Sequence, residues 1–148
     1  MGLRGAGLTV TSEFAADVQK IVGPVLKGLG FILDGIDDNP DEGGRRQDVV
    51  YYRSDDCKLQ IYDSSREGEI NCMIAPLSAP NQFGLTTKKW HYISRFSKRS
   101  DLPPQERLRV AIAEAKAYEN QLDWVRDRIA KHYESAHAGI LEKYGNER

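Results

Sequence analysis

Asp48-Val-Val-Tyr-Tyr-Arg53, Cys57-Lys-Leu-Gln-Ile-Tyr62 and Glu69-Ile-Asn-Cys-Met-Ile-Ala-Pro76 are three short runs rich in β-branched and aromatic residues, separated by Ser54-Asp-Asp56 and Asp63-Ser-Ser-Arg-Glu-Gly68. Strands that follow one another through turns this short pair antiparallel, so the stretch from Asp48 to Pro76 predicts a meander. Within it Cys57, Leu59 and Ile61 alternate with Lys58, Gln60 and Tyr62, and Ile70, Cys72 and Ile74 alternate with Asn71, Met73 and Ala75. Such alternation marks a sheet with one face on a core and the other of mixed character. From the second strand, either Val49 and Tyr51 or Val50 and Tyr52 join that mixed face.

Upstream, Phe14, Val18, Ile21, Val22, Val25, Leu26 and Leu29 recur at helical spacing between a Thr11 or Ser12 cap and Gly30. Gly23-Pro24 removes one backbone hydrogen bond, and a bend within one helix is expected rather than two elements. Phe31-Ile-Leu33 reads as the first strand, and Asp34 to Gln47 as a long hairpin loop. Downstream, Leu77 to Ser100 has no sustained period and reads as a structured loop, with a short extended or helical piece near Trp90 to Phe96. Leu102-Pro-Pro104 ends that loop, and Pro104-Gln-Glu-Arg-Leu108 opens a long helix. Its stripe is Leu108, Ala111 and Ile112, Ala115, Tyr118, Leu122, Val125, Ile129, Tyr133, Ala136 and Ile140, and Gly139 or the polar stretch near Ser135 can break it. The expected fold class is α+β: helix, four-stranded antiparallel meander and long C-terminal helix, with the helices on one face of the sheet. Residues 1–10 read as a flexible tail and 11–148 as a single domain.

A chain of 148 residues buries roughly two thirds of the surface its unfolded form exposes, so no metal or disulfide staple is needed. The net charge of -1, with 29% charged and 40% hydrophobic residues, argues against bulk affinity for nucleic acid or membranes. The first ten residues lack a signal-peptide core, Ala6 stands where a myristoylation motif needs Ser or Thr, and no apolar run approaches a membrane span. A cytoplasmic location is therefore expected. Cys57 and Cys72 share the parity of the apolar positions on their strands and read as small buried hydrophobes rather than a disulfide.

Asp37-Asp-Asn-Pro-Asp-Glu-Gly43 imitates a calcium loop, but Glu42 occupies the place of the turn glycine and Pro40 restricts the turn, so a solvated hairpin loop is expected. His132 and His137 lie about 140° apart around a helix and do not converge on one ion. No other spacing identifies a metal or cofactor, and neither is expected. His91 has the ordinary chemistry of a general acid or base, yet it would need a carboxylate such as Asp63 brought near by folding. The sequence therefore leans away from an enzyme and toward a non-catalytic protein-interaction module.

Two surfaces are candidates for that role. The outer sheet face presents Lys58, Gln60, Tyr62, Asn71 and Met73; it is a docking face if open, or a second small core if the loop Leu77 to Ser100 folds across it. The segment Lys88, Lys89, Trp90, His91, Tyr92, Arg95, Phe96, Lys98 and Arg99 mixes cations with aromatics and contains no acidic residue. It suits an acidic protein partner, the acidic loop Asp37 to Glu42 of this chain or its mate, or a nucleic acid whose bases stack on the rings. Alternatively its aromatics are core and its cations are solvated. Val110, Ala117 and Trp124, seven apart, form a thin seam opposite the main helix stripe and would support a homodimer anchored by Trp124.

The ordering Val25-Leu-Lys-Gly-Leu-Gly-Phe31, Val50-Tyr-Tyr-Arg-Ser54, Leu59-Gln-Ile-Tyr-Asp63 and Arg66-Glu-Gly-Glu-Ile70 resembles small bacterial α+β proteins, some of them immunity proteins of contact-dependent toxin systems. The resemblance covers about the first half of the chain. It implies an immunity-like protein partner and transfers no functional residue.

Overall fold

A computed structural model describes residues 13–37, 47–64, 69–83, 88–98 and 101–145. The expected tail and most of the calcium-like stretch fall outside them, as does Arg99. The meander forms as its alternation predicts, with β1 (Ile32–Asp37), β2 (Gln47–Arg53), β3 (Cys57–Ser64) and β4 (Glu69–Pro76) paired antiparallel in chain order. A fifth strand, β5 (His91–Tyr92), adds to β4 through Met73 opposite Tyr92 and Ile74 opposite His91. It is the short extended piece expected near Trp90. The first strand runs past Leu33 into the predicted loop, with the register shifting between Leu33 and Gly35.

Each sheet face carries its own core. Val50, Tyr52, Leu59, Ile61, Cys72 and Ile74 lie under the helices, where the two free cysteines are both buried. Val49, Tyr51, Tyr62 and Ala75 lie on the other side. The register decides which pair from β2 faces out: Val49 is opposite Tyr62, and Tyr51 is opposite Gln60.

The first helical region divides at the proline. α1 (Glu13–Ile21) and α2 (Gly23–Gly28) replace the single bent helix. Val22 keeps helical dihedrals at the joint, and the bonds Val22 N to Val18 O (2.8 Å) and Leu26 N to Val22 O (3.2 Å) carry the ladder across it. Gly30, at φ 91°, allows Phe31 N to donate back to Leu26 O at 2.9 Å and terminates α2.

The expected long helix also divides, but not at Ser135 or Gly139. α3 (Pro104–Lys116) ends before residues 117–120, and α4 (Gln121–Tyr144) runs through both predicted break points. The division falls at Asn120, whose extended backbone and side chain, accepting from Leu122 N at 2.9 Å, make it the N-cap of α4. Leu122, Val125, Ile129, Ala136 and Ile140 are then buried on the sheet, as the stripe requires. α3 buries no residue at all. Gly139 stays helical and serves another purpose: a Cβ there would lie 2.5 Å from Phe96 Cγ, so its absence lets the aromatic ring rest directly on the helix backbone.

Candidate interaction surface

The loop after β4 covers the outer sheet face. Ala79 and Trp90 are buried against Val49, Tyr51, Tyr62 and Ala75, with Met73 and Phe83 packed around them. Side-chain donors of this face and of the loop itself bond loop carbonyls, which is how a loop pins itself to a sheet without a strand ladder, while Gln60 Oε1 and Tyr51 Oη are buried without a hydrogen-bond partner among the described residues. Lys58 Nζ donates to Ala79 O at 2.9 Å and lies 3.8 Å from Asp34 Oδ2. Gln60 Nε2 donates to Gln82 O at 3.1 Å, and Trp90 Nε1 to Pro80 O at 3.0 Å. Lys58, Gln60 and Tyr62 are thus buried and Met73 partly so; of the two alternatives for this face, the second small core is the one that forms.

The segment from Lys88 to Lys98 mixes buried rings with engaged cations. Trp90 belongs to the outer core, and Lys89 Nζ bonds Ser78 Oγ at 2.9 Å. Buried His91 uses both ring nitrogens: Nδ1 is 2.7 Å from Arg95 Nη1 and Nε2 is 2.7 Å from Tyr144 Oη. A guanidinium can only donate, so Nδ1 is the acceptor and the ring proton sits on Nε2. Burial, then the charges of Arg95 and Lys143, hold the His91 pKa below its ordinary value. Among the described residues no carboxylate bonds the ring: Asp63 is opposite Asp48 and Ile70, whereas His91 is opposite Ile74 on the far side of β4. Lys88, Tyr92, Arg95 and Lys98 remain exposed.

The open apolar surface lies on α3. Leu108, Val110 and Ile112 are 63%, 42% and 46% exposed, and Leu102 just before the helix is exposed as well. Leu108 and Ile112, one turn apart, form the outward stripe, reversing the expectation that this stripe would pack on the sheet. Val110 and Ala117, from the thin second seam, face α4 instead. Two open grooves of about 380 and 270 Å³ separate the helices, the first floored by Trp124 and the second reaching Ser94, Ser97 and His132. Trp124 itself packs on the helix-side core, with the Arg128 guanidinium 4.7 Å from its ring centroid.

The first groove carries Glu114 and Asp127 against Arg128 and Lys131, whereas the walls of the second are predominantly basic. Lys98, Arg107, Arg128 and Lys131 line the second groove against one acid, Glu114. Arg107 Nε and Arg128 Nε are buried without a hydrogen-bond partner among the described residues. Burial lowers the Arg128 pKa, partly offset by Glu114. Missed in the sequence was the isolation of α3, although Asn120 followed by Asp123 is an acceptable helix-start signal inside the predicted long helix. A separate polar cluster, Asp56, Cys57 and His137, brings oxygen, sulfur and nitrogen donors together where β3 begins beneath α4 and is, among the described residues, a set of side chains that could hold a metal ion.

The molecule is an α+β domain of three layers: helices, a five-stranded antiparallel meander and a packed loop. No helix among the described residues is long and apolar enough to cross a membrane. No protein-family model matches the chain, and comparison with curated proteins and with solved structures gave no significant match.

Proposed function

We propose that this protein is a non-catalytic interaction module that holds an acidic, amphipathic protein segment against α3 and the basic groove between α3 and α4. The observation that carries this reading is a helix of 13 residues with no buried side chain and an outward stripe of Leu108 and Ile112. Helices this short are marginal in water and gain their stability from packing an apolar face. A partner supplying apolar residues to the stripe and carboxylates to Arg107, Arg128, Lys131 and Lys98 satisfies both surfaces. An immunity-like role, as the sequence resemblance implies, is one use of such a module.

Nucleic acid fits less well, because Trp90 and His91 are buried and Tyr92 is the ring of that segment that stands most open for stacking. The exposed apolar residues of edge strand β1, Ile32, Leu33 and Ile36, are each followed within two residues by Asp34 or Asp37, and charges on an edge strand discourage pairing with another chain. The test is fluorescence anisotropy of a labelled amphipathic peptide with Glu on one face and Leu on the other, alongside a labelled single-stranded oligonucleotide. The peptide should bind, weaken with added salt, and lose affinity by about tenfold or more in Leu108→Asp/Ile112→Asp. Binding of the oligonucleotide alone, of neither probe, or of the peptide equally to the double variant would count against the reading. Sedimentation equilibrium of the protein alone separates this from a homodimer, which would need no peptide and would dissociate in the same variant.

A further inference from the structure

The geometry points to a transition-metal site of the zinc class formed by Asp56, Cys57 and His137. One ligand atom from each lies within 4.8 Å of the others, and His137 Nε2 is 2.9 Å from Asp56 Oδ2. A carboxylate oxygen, a thiol sulfur and an imidazole nitrogen together suit a borderline-soft divalent ion; hard cations such as Ca²⁺ and Mg²⁺ take all-oxygen sets. Three protein ligands leave a fourth position for solvent or for Ser54, whose Oγ is 3.5 Å from Cys57 Sγ.

The donors are held before any ion arrives. Ser54 N donates to Cys57 O at 2.9 Å and closes the β2–β3 turn, while Ser54 Oγ accepts from Asp56 N at 3.4 Å and Cys57 N at 3.3 Å. Ser54 Oγ also donates to Asp56 Oδ1 at 3.3 Å, which orients the carboxylate. On α4, Tyr133 stacks on His137 at 5.3 Å and 21°, and its other neighbour, Phe31, meets it edge-on at 5.7 Å. These contacts around the ligands are the kind that fix ligand orientation in metal sites. Access is from one side: Cys57 is buried, whereas the Asp56 and His137 side chains are 25% and 29% exposed. Binding would replace the Cys57 S–H bond by a metal–sulfur bond and pass the thiol proton to solvent. None of the three side chains lines the grooves between α3 and α4, so the site is tested separately from the proposed interaction surface.

The test is a Co²⁺ titration of the full chain after EDTA treatment and dialysis. A thiolate-to-cobalt charge-transfer band should appear, saturate at a single Co²⁺ per chain with release of about one proton, and bleach on adding Zn²⁺. Cys72→Ser should keep the band and Cys57→Ser should lose it. Zn²⁺ at about a hundredfold excess over Kd should raise the melting temperature by about 5–10 °C. His137→Gln leaves the core thiol in place, so it covers the case in which Cys57→Ser fails to fold; its Co²⁺ affinity should fall by about tenfold or more. No band in the wild-type protein, a band retained in Cys57→Ser, or unchanged affinity in His137→Gln would overturn the site and leave the cluster as a hydrogen-bonded link between turn and helix.

Discussion

Replacing Gly139 with alanine should destabilise this protein, although the same change in an unobstructed helix interior stabilises by about 1 kcal/mol. The sign is set by Phe96. A Cβ on residue 139 would lie 2.5 Å from Phe96 Cγ and 2.9 Å from Cε1, and closer still to Cδ1, whereas ordinary contact begins at 3.4 Å. The ring must therefore retreat by about 1 Å from a position where it packs on the helix-side core and meets His91 edge-on at 5.7 Å. Contact falls on the base of the ring, so rotation about the last torsion does not relieve it. Overpacking of this kind costs about 1–3 kcal/mol, which outweighs the propensity gain and leaves a net loss of about 1 kcal/mol. Urea denaturation of the wild type, Gly139→Ala, Phe96→Ala and the double variant separates the two effects. With the ring removed, the alanine should stabilise by about 1 kcal/mol, giving a coupling of about 2 kcal/mol between the sites. In melting temperature each kcal/mol is about 2–4 °C for a chain of this size. A Gly139→Ala protein more stable than wild type would refute the packing argument.

Asn120→Ala should cost about 1 kcal/mol and speed amide exchange in the first turn of α4, because Leu122 N loses its cap acceptor; unchanged exchange there would mean the cap is not what starts the helix. Trp90→Ala removes the largest side chain clamping the loop to the outer face and should cost about 3 kcal/mol, with the loop amides losing protection before those of β3. Acidification should weaken the fold below about pH 6.5. Burial first, then nearby cations, hold the pKa values of His91 and His132 below 6.5, so the unfolded chain binds more protons as the pH falls from there toward the folded values. Their stabilising contribution is present above 6.5 and lost through that window, while Asp63, raised by burial and by Asp48, works in the opposite direction only in the more acidic carboxylate range. Urea midpoints at about pH 7.5 and 5.5 measure the slope; His91→Gln should flatten it, and a wild-type midpoint unchanged between them would refute the assignment.

The meander was legible because its signals are local. Alternation at Cys57, Leu59 and Ile61 and at Ile70, Cys72 and Ile74 specifies a buried face, and turns of a few residues leave no pairing but antiparallel neighbours. The parity of β2 was not legible, since Val49-Val-Tyr-Tyr52 is equally apolar on both faces; it is settled by register and by the loop that makes both faces cores. That covering escaped the sequence because its bonds run from Lys58, Gln60 and Trp90 to backbone carbonyls, and any residue type supplies a carbonyl. His137 likewise meets Asp56 across 81 positions of sequence, through the placement of α4 over the sheet, which no ligand spacing records.

The most consequential difference concerns α3. Periodicity at Leu108, Ile112 and Ala115 reports that one side of a helix is apolar; it does not report what covers that side. Had the helix run straight through to Ile140, its stripe would have been continuous with Leu122 and Val125 and would have shared their burial. The cap at Asn120 breaks that continuity, and the two parts of one apparent stripe acquire different roles: the later part packs on the sheet, and the earlier part faces outward. The thin seam of Val110 and Ala117 then turns toward α4 without closing on a core: Val110 lines the groove carrying Arg107 and Arg128, and Ala117 lines the groove beside Trp124. On the proposed reading, the basic groove and the exposed Leu108 and Ile112 of the adjoining face belong together, because a single acidic amphipathic partner would cover both at once.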